Sequence, residues 1–513
     1  MLIPVACSTA CVGGEGINGR SRLTIAIARD VGPINVYVGA TDAMVGLVYD
    51  KLVEPSPHVV EQRLGLAAAI TQVDSITWLV TVREGVKWHD GLPLTAADVA
   101  FTYTYFRDGP PTRYAHHVSA VPRIDSIQVV GTRQVRFVCG YPCPTLERIT
   151  FADIPILPRH IWEQVAEPRK LSSLPVGTGP YRLVEYRPDQ LYRFEANRDY
   201  FGGRPRIDEL DMPVIPDQSS MFVALKTGKV DAVGKKVPPE LLATFEKLPG
   251  VRVVRTTGLA TTELRSNYFK PPFDRASMRR ALSLAIDRDA IVRTVLLGLG
   301  RPGNKGYSHP DSPWSDPSVS TPYDSAAAVR LLEANGFADR DGDGLREWPD
   351  ARPFELSVLV ASGEPTLERT AELLTRQLLR FGIRTRLEML EQGAASKRVS
   401  THDFDLYLSE GGAHSSSDPD QFIVSNQVGY LWSDKLPYPE LDNLILRWMS
   451  SSTLETRKQA TYALQQFYNQ QPTSIAVYYP DEYFAYRPAA YDGWVESRGY
   501  GIVHKWSFLP KVR

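Results

Sequence analysis

The chain has 513 residues, 43% of them hydrophobic and 23% charged, the composition of an ordered globular protein and too long for one compact core. At about 150 residues per domain it predicts roughly two to four lobes. With 58 basic against 59 acidic residues the net charge is −1, which argues against a nucleic-acid surface as the main function; no apolar run reaches the roughly 18 residues that span a bilayer.

The N-terminal segment, Met1-Leu-Ile-Pro-Val-Ala-Cys7-Ser-Thr-Ala-Cys11 followed by Gly13-Gly-Glu-Gly16, looks like the end of a bacterial lipoprotein signal, in which a Cys after small residues takes a lipid. It has no basic stretch, and the position three before each cysteine is Pro4 or Ser8, where such signals prefer Leu. Residues 1–20 are therefore read as a leader. Residues 23–28 predict a strand. Residues 76–83 alternate Ile76, Trp78, Val80 and Val82 on one face, a half-buried strand. After the turn Lys87-Trp-His-Asp-Gly91, Thr95 with Asp98 three residues on opens a helix whose inner face is Val99, Thr102, Tyr103 and Phe106. Further strands are expected near 127–131 and 134–138. Cys139 and Cys143 flank Gly140 and Pro142; a turn there allows a local disulfide, and two free thiols are the alternative.

Asp217 is expected to cap a helix that Gly228 stops, with an extended run over 229–233. Asp274 and Asp287 are expected to cap two more helices. Residues 354–360, 366–381 and 383–390 read strand, helix, strand, a βαβ unit with parallel strands. Phe404–Leu408 is the next strand, and helices follow near 439–450 and 454–470. Asp339, Asp341, Asp343, Glu347 and Asp350 have the spacing of a calcium-binding loop, with the glycine of the Asp-x-Asp-x-Asp-Gly order at Gly344. The expectation is either a solvated turn or a structural Ca2+ site; no other cofactor is expected.

Three stretches together resemble one family: Val82-Arg-Glu-Gly-Val-Lys-Trp-His-Asp-Gly-Leu-Pro-Leu-Thr-Ala-Ala-Asp-Val-Ala-Phe101, then Pro175-Val-Gly-Thr-Gly-Pro-Tyr181, then Asn267-Tyr-Phe-Lys-Pro-Pro-Phe273 with Met278-Arg-Arg-Ala-Leu282 and Ala285-Ile-Asp-Arg288. In order and spacing they are similar to the family 5 extracellular solute-binding proteins of ABC importers, which include oligopeptide-, dipeptide- and nickel-binding members. The resemblance spans roughly residues 20 to 490. It implies an α/β, two-lobed periplasmic-binding-protein-like fold with hinge crossovers near 256–266 and 478–488 and an extra subdomain in the first lobe. Lobe I is expected from 21–45, 176–258 and 486–513, the subdomain from 46–175, and lobe II from 259–485. It further implies a monomeric receptor for a small molecule or peptide. That receptor would work with a membrane permease on the periplasmic or extracellular face of the cytoplasmic membrane, anchored by lipid on Cys7 or Cys11.

The resemblance also directs four segments to a ligand cleft. The candidate contacts are Asn35 and Tyr37 after the first strand; Arg265, Asn267 and Tyr268 at the first crossover; Glu410, His414, Ser415, Ser416, Ser417 and Asp418 in one loop; and Trp432 in another. Relatives that grip a peptide amine have an Asp where this chain has Ser415, and dipeptide binders have an Arg where it has Ala361. Asp418 or Glu410 would replace the first charge and Arg265 the second. A charged peptide terminus buried without a partner costs several kcal/mol, so a blocked or modified peptide, an oligosaccharide or a metal chelate enters beside ordinary peptides.

Two other classes of function make different demands on the sequence. A hydrolase acting on peptides would need a nucleophile or metal constellation, and the sequence has no Gly-x-Ser-x-Gly, His-Glu-x-x-His or Gly-x-x-x-x-Gly-Lys motif. His116-His117 is expected on a strand with the two rings pointing apart, and His160 with Glu163 as an ordinary pair. A DNA-binding regulator would need a helix-turn-helix ahead of residue 23, which the sequence does not show.

Overall fold

The structure is a computed structural model, and it describes residues 21–38, 42–54, 63–110, 112, 114–119, 122–256, 258–306, 308–411, 438–496 and 501–510. Residues 1–20, read from the sequence as a leader with Cys7 and Cys11, lie outside the described residues.

Two mixed sheets form the two lobes. The first has seven strands in the order Arg252–Thr256, Glu482–Tyr486, Ala232–Val233, Arg22–Ala26, Glu209–Pro213, Leu191–Ala196 and Tyr181–Arg187. Arg22–Ala26 runs at its centre, parallel to both neighbours, and Leu23, Ile25 and Ala26 are fully buried, as a strand covered on both faces requires. The second sheet has six strands in the order Gly300–Pro302, Ser474–Pro480, Thr261–Ser266, Leu406–Gly411, Glu355–Ala361 and Arg384–Leu390. Its expected βαβ unit is present: Glu355–Ala361 pairs in parallel with Arg384–Leu390 over seven positions, with helix Pro365–Leu379 between them. Each lobe has its own apolar core. One is built around Leu23, Ile25, Tyr181 and Leu210, the other around Leu264, Met278, Val358 and Leu374.

The extra subdomain is a four-stranded antiparallel sheet, Ala67–Gln72, Thr77–Val82, Gln134–Cys139 and Ile124–Gly131 in that order. Helix Ala96–Asp108 packs on it through the expected Val99, Thr102, Tyr103 and Phe106. Asp98 accepts from the Thr95 backbone N–H at 2.8 Å and also from Arg159 N–H at 3.1 Å, so one cap ties the helix to a distant segment. Cys139 and Cys143 are joined in a disulfide with a Cα–Cα distance of 6.4 Å, which decides between the two readings left open by their spacing.

Differences from the sequence reading are local. The Glu482–Tyr486 strand belongs to the first sheet, so the second crossing falls at Asp481, ahead of the expected boundary after 485. The helix expected from an Asp274 cap begins at Ala276, after Arg275, with no side-chain cap. His116 and His117 fall in a helical turn, His116–Ser119, and not on a strand; the His117 ring meets Asp153 at 3.1 Å. The run at 229–233 contributes a strand of two residues.

The glycines of Pro175-Val-Gly-Thr-Gly-Pro-Tyr181 have a steric cause. This loop lies across the end of helix Asp42–Val48, and a Cβ added to Gly177 would sit 1.9 Å from the Val48 carbonyl oxygen; one on Gly179 would sit 2.5 Å from that of Leu47. The Gly179 N–H donates to Val48 O at 2.8 Å, an approach that a side chain would prevent. Gly177→Ala should therefore cost about 2–4 kcal/mol, measured by denaturant unfolding of the purified protein, whereas Gly85→Ala, whose Cβ meets nothing within 4 Å, should cost less and only through its positive φ of 78°.

Candidate functional site

In open α/β sheets ligands sit beyond the carboxyl ends of the parallel strands, where loops can aim polar groups without breaking the ladder. Here those ends face one another across the two lobes. In lobe I the Gly234 N–H still donates to Ala26 O at 2.9 Å, so Lys235 and Lys236 emerge at the carboxyl end of the central strand. Glu240 follows in the first turn of helix Pro239–Glu246. In lobe II, Glu355–Ala361 runs out to Glu364 at the start of helix Pro365–Leu379, and Leu406–Gly411 ends at Glu410 and Gly411.

The facing ends meet in ion pairs. Lys235 Nζ lies 2.5 Å from Glu364 Oε1, Lys236 Nζ lies 2.5 Å from Glu410 Oε1, and Arg369 lies 3.2 Å from Glu240. Lys236 also reaches Glu482 at 3.1 Å, within its own lobe. Burial works against the charge of Lys236, but the Glu410 and Glu482 carboxylates outweigh it and hold its pKa above the usual lysine value. Away from these pairs, Ile149 of the subdomain packs into the cluster formed by Leu441, Ile445 and Trp448 of lobe II.

Of the expected contacts, Glu410 stands at this interface. The Asn35 amide is engaged within its own lobe: it donates to Pro168 O at 2.7 Å and Leu171 O at 3.0 Å and accepts from Tyr37 N–H at 2.8 Å. Tyr37 is buried, stacked with Phe106 and Trp162 at 5.7 and 5.8 Å; burial pushes its phenol pKa up, and its hydroxyl has no hydrogen-bond partner among the described residues. Arg265, Asn267 and Tyr268 lie toward the wrong end of their strand. Thr261–Ser266 starts at the cleft and runs away from it, antiparallel to Leu406–Gly411, so at about 3.3 Å per residue Asn267 is roughly 20 Å beyond Thr261. There Arg265 pairs with the fully buried Glu263, its Nε at 2.7 Å, and Asn267 donates to His402 O and Phe404 O at 2.8 and 2.9 Å. Tyr268 packs beside Phe269 against the lobe II helices. His414, Ser415, Ser416, Ser417, Asp418 and Trp432 lie outside the described residues.

Sequence reasoning missed Lys235, Lys236, Glu240, Glu364, Arg369 and Glu482. The available signal was Lys235-Lys236 directly after a short strand that leads into a helix.

The acidic loop brings together four of its five expected carboxylates. Ligand atoms of Asp339, Asp341, Asp343 and Glu347 all lie within 4.8 Å of one another. Backbone N–H groups hold them: Gly342 and Gly344 donate to Asp339, Asp343 to Asp341, Leu345 to Asp343 and Arg340 to Glu347. Asp350 is excluded, because it pairs with Arg352 at 2.8 Å.

Two buried polar clusters sit behind the cleft in lobe I. Lys505, near the C-terminus, lies 2.8 Å from Asp50 and 2.6 Å from Glu54, all three nearly inaccessible; Thr178 and Tyr200 donate to the remaining Asp50 lone pairs at 2.8 and 2.7 Å. His89 joins two of the sequence motifs. Its Nδ1 accepts from Gly177 N–H at 3.3 Å and its Nε2 lies 3.0 Å from Gly179 O, an arrangement that fits the neutral ring protonated on Nε2. Burial lowers its pKa to about 4, opposed by the Gly179 carbonyl.

Two lobes with separate cores, joined by paired crossings and meeting at their strand ends, define a hinged receptor that encloses a solute. The model of the bacterial extracellular solute-binding proteins, family 5 (middle), matches residues 61–429, more than half of the chain. The oligopeptide-binding protein AppA of Bacillus subtilis is 28% identical over 447 residues, 82% of this chain and 79% of AppA. Its structure with a nonapeptide superposes with a TM-score of 0.82 at 24% identity, covering 96% of this chain and 99% of AppA. NikZ of Campylobacter jejuni in complex with Ni(L-His) gives 0.81 at 22% identity, covering 94% and 97%. The chain belongs to the family 5 bacterial extracellular solute-binding proteins.

The two buried clusters generate two expectations. Lys505→Met leaves Asp50 and Glu54 buried without their cation and should cost about 3–5 kcal/mol in chemical denaturation. His89 binds fewer protons folded than unfolded, so its contribution is intact above its unfolded pKa near 6.5 and is lost as pH falls toward 4. Unfolding titrations between pH 7 and 4 should show stability falling by roughly 3 kcal/mol from this group, and His89→Gln should flatten that slope.

Proposed function

We propose that the chain is the extracytoplasmic substrate-binding receptor of an ABC-type importer, without catalysis of its own, and that it encloses a peptide or peptide-like solute between its lobes. The observation that carries this reading is the pairing of facing strand ends across two separately cored lobes, the geometry of a receptor that closes on what it binds. The peptide class is supported by the oligopeptide-binding relative and by the nonapeptide held in its structure. Release follows when a membrane permease separates the lobes. A monomer on the periplasmic or extracellular face, held by lipid on Cys7 or Cys11, fits this role.

A second reading has its own support. Ala361 ends its strand without a charge, and Arg265, the cation expected to replace an Arg there, is engaged by Glu263. Neither supplies a partner for a free carboxylate, which favours a neutral oligosaccharide, a blocked peptide or a metal chelate such as the one held by NikZ.

Native mass spectrometry of the purified protein, with gentle and then denaturing release, tests both readings. A stoichiometric peptide mass is the expected result; a sugar or chelate mass replaces the peptide class and keeps the receptor. An empty protein that shows no thermal shift with peptide, oligosaccharide and chelate libraries overturns the receptor reading.

The acidic loop is proposed as a structural Ca2+ site with Asp339, Asp341, Asp343 and Glu347 as carboxylate ligands, hard oxygen donors in a glycine-rich turn. Its binding would stabilise the folded state by mass action. Addition of about 1–10 mM Ca2+, about 100 times a dissociation constant near 10⁻⁵–10⁻⁴ M, should raise the melting temperature, and Asp341→Asn should abolish the rise; no shift in the parent protein removes the proposal.

A further inference from the structure

We propose that Lys235, Lys236 and Glu240 of lobe I and Glu364, Arg369 and Glu410 of lobe II form an ion-pair latch that sets the balance between closed and open lobes. The proposal rests on the receptor reading and concerns how that receptor retains its solute.

The latch residues come from three separate stretches of the chain, 235–240, 364–369 and 410, and each is at a carboxyl end of a strand or in the first turns of the helix that follows. Opening the hinge breaks all three pairs together, because every pair has one member on each lobe. Lys236 is prepared for its role. Glu482, whose side chain is 6% exposed, lies on the same lobe and holds the ammonium at 3.1 Å, so Lys236 stays oriented after Glu410 departs. Arg369 and Glu240 meet with both guanidinium Nη atoms at 3.2 Å from one carboxylate oxygen and Nη2 at 3.2 Å from the other, a geometry that orients as well as attracts. The side chains of the six latch members are a quarter to nearly a half exposed. They are therefore within reach of salt, and each pair alone is worth little.

Closure has another contact, Ile149 against the lobe II helices. The two respond oppositely to salt: ion pairs weaken as ionic strength rises, and an apolar contact does not. This difference makes the latch separable from simple apolar closure.

The test is small-angle scattering of the ligand-free full chain, monodisperse and stripped of solute by partial unfolding and refolding. At about 20 mM NaCl the radius of gyration should be near the about 24 Å of a compact chain of this length; at about 500 mM it should rise by about 1 Å or more as the lobes part. Glu240→Arg, which sets two cations against each other, should open the protein at low salt, and Glu240→Arg with Arg369→Glu should restore the closed value. Glu410→Gln should shift the salt midpoint downward. A radius unchanged by salt, an open protein at low salt, or a double reversal that stays open overturns the latch. None of these readouts needs a solute, so the latch fails here independently of the receptor reading, which fails by the absence of any bound or stabilising solute.

Discussion

The cleft depends on one constraint: the chain passes between the lobes twice, side by side. Arg252–Thr256 and Glu482–Tyr486 pair antiparallel over five positions in the first sheet, and Thr261–Ser266 pairs antiparallel with Ser474–Pro480 in the second. Between them stand residues 257–260 on one crossing and Asp481 on the other. Such short tethers, each continuing a hydrogen-bonded strand at both ends, leave bending about the pair as the available motion, whereas a longer linker would let the lobes tumble. They also fix which surfaces meet, since the strands that leave the crossing determine where Lys236, Glu364 and Glu410 arrive.

The motifs that identify the family hold loops and backbone in place. His89, from Lys87-Trp-His-Asp-Gly91, is spent on the backbone of Gly177 and Gly179, and those glycines are required because helix Asp42–Val48 approaches too closely for a Cβ. Arg279 and Arg288, from the third motif, are buried and donate to backbone carbonyls: Arg279 to Phe273 O and Pro472 O, Arg288 to Ser283 O and Ala476 O. A charge buried among carbonyls organises the loops around it, and desolvation lowers the Arg288 pKa to about 10. Members that take different solutes can keep these contacts unchanged while the cleft edge varies.

The fold was legible in the sequence because its signals are local. The alternation over 76–83, the Thr95–Asp98 cap and the strand-helix-strand run from 354 to 390 each depend on residues close together in the chain. The candidate site was less legible because its groups depend on register and direction. Asn35 and Asn267 look like ligand contacts until the backbone carbonyls they satisfy are known, and Pro168 and His402 are more than 130 positions away from them. Arg265 misleads for a directional reason, since the strand it sits on leads away from the cleft. Lys235-Lys236 reads as a solvated charge pair until two sheets bring Glu364 and Glu410 to meet it. Of the acidic loop, four carboxylates follow from spacing, but the turn at Ala351 (φ 67°) and the neighbouring Arg352 remove Asp350.

The character of the interlobe contacts follows from what a reversible receptor needs. A solute can shift a hinge equilibrium only by its differential affinity for the two states, and moving from 1:99 to 99:1 takes about 5.5 kcal/mol. An apolar interface of about 1,000 Å² would favour closure by roughly 25 kcal/mol at 25 cal/mol per Å², far more than a solute or permease could reverse. Three half-exposed ion pairs contribute about 0–1 kcal/mol each, which places closure within the range that binding energy controls. The fully buried pairing of Lys505 with Asp50 and Glu54 is the contrast. Losing one partner there costs several kcal/mol, and such a contact is found inside lobe I, where nothing has to come apart.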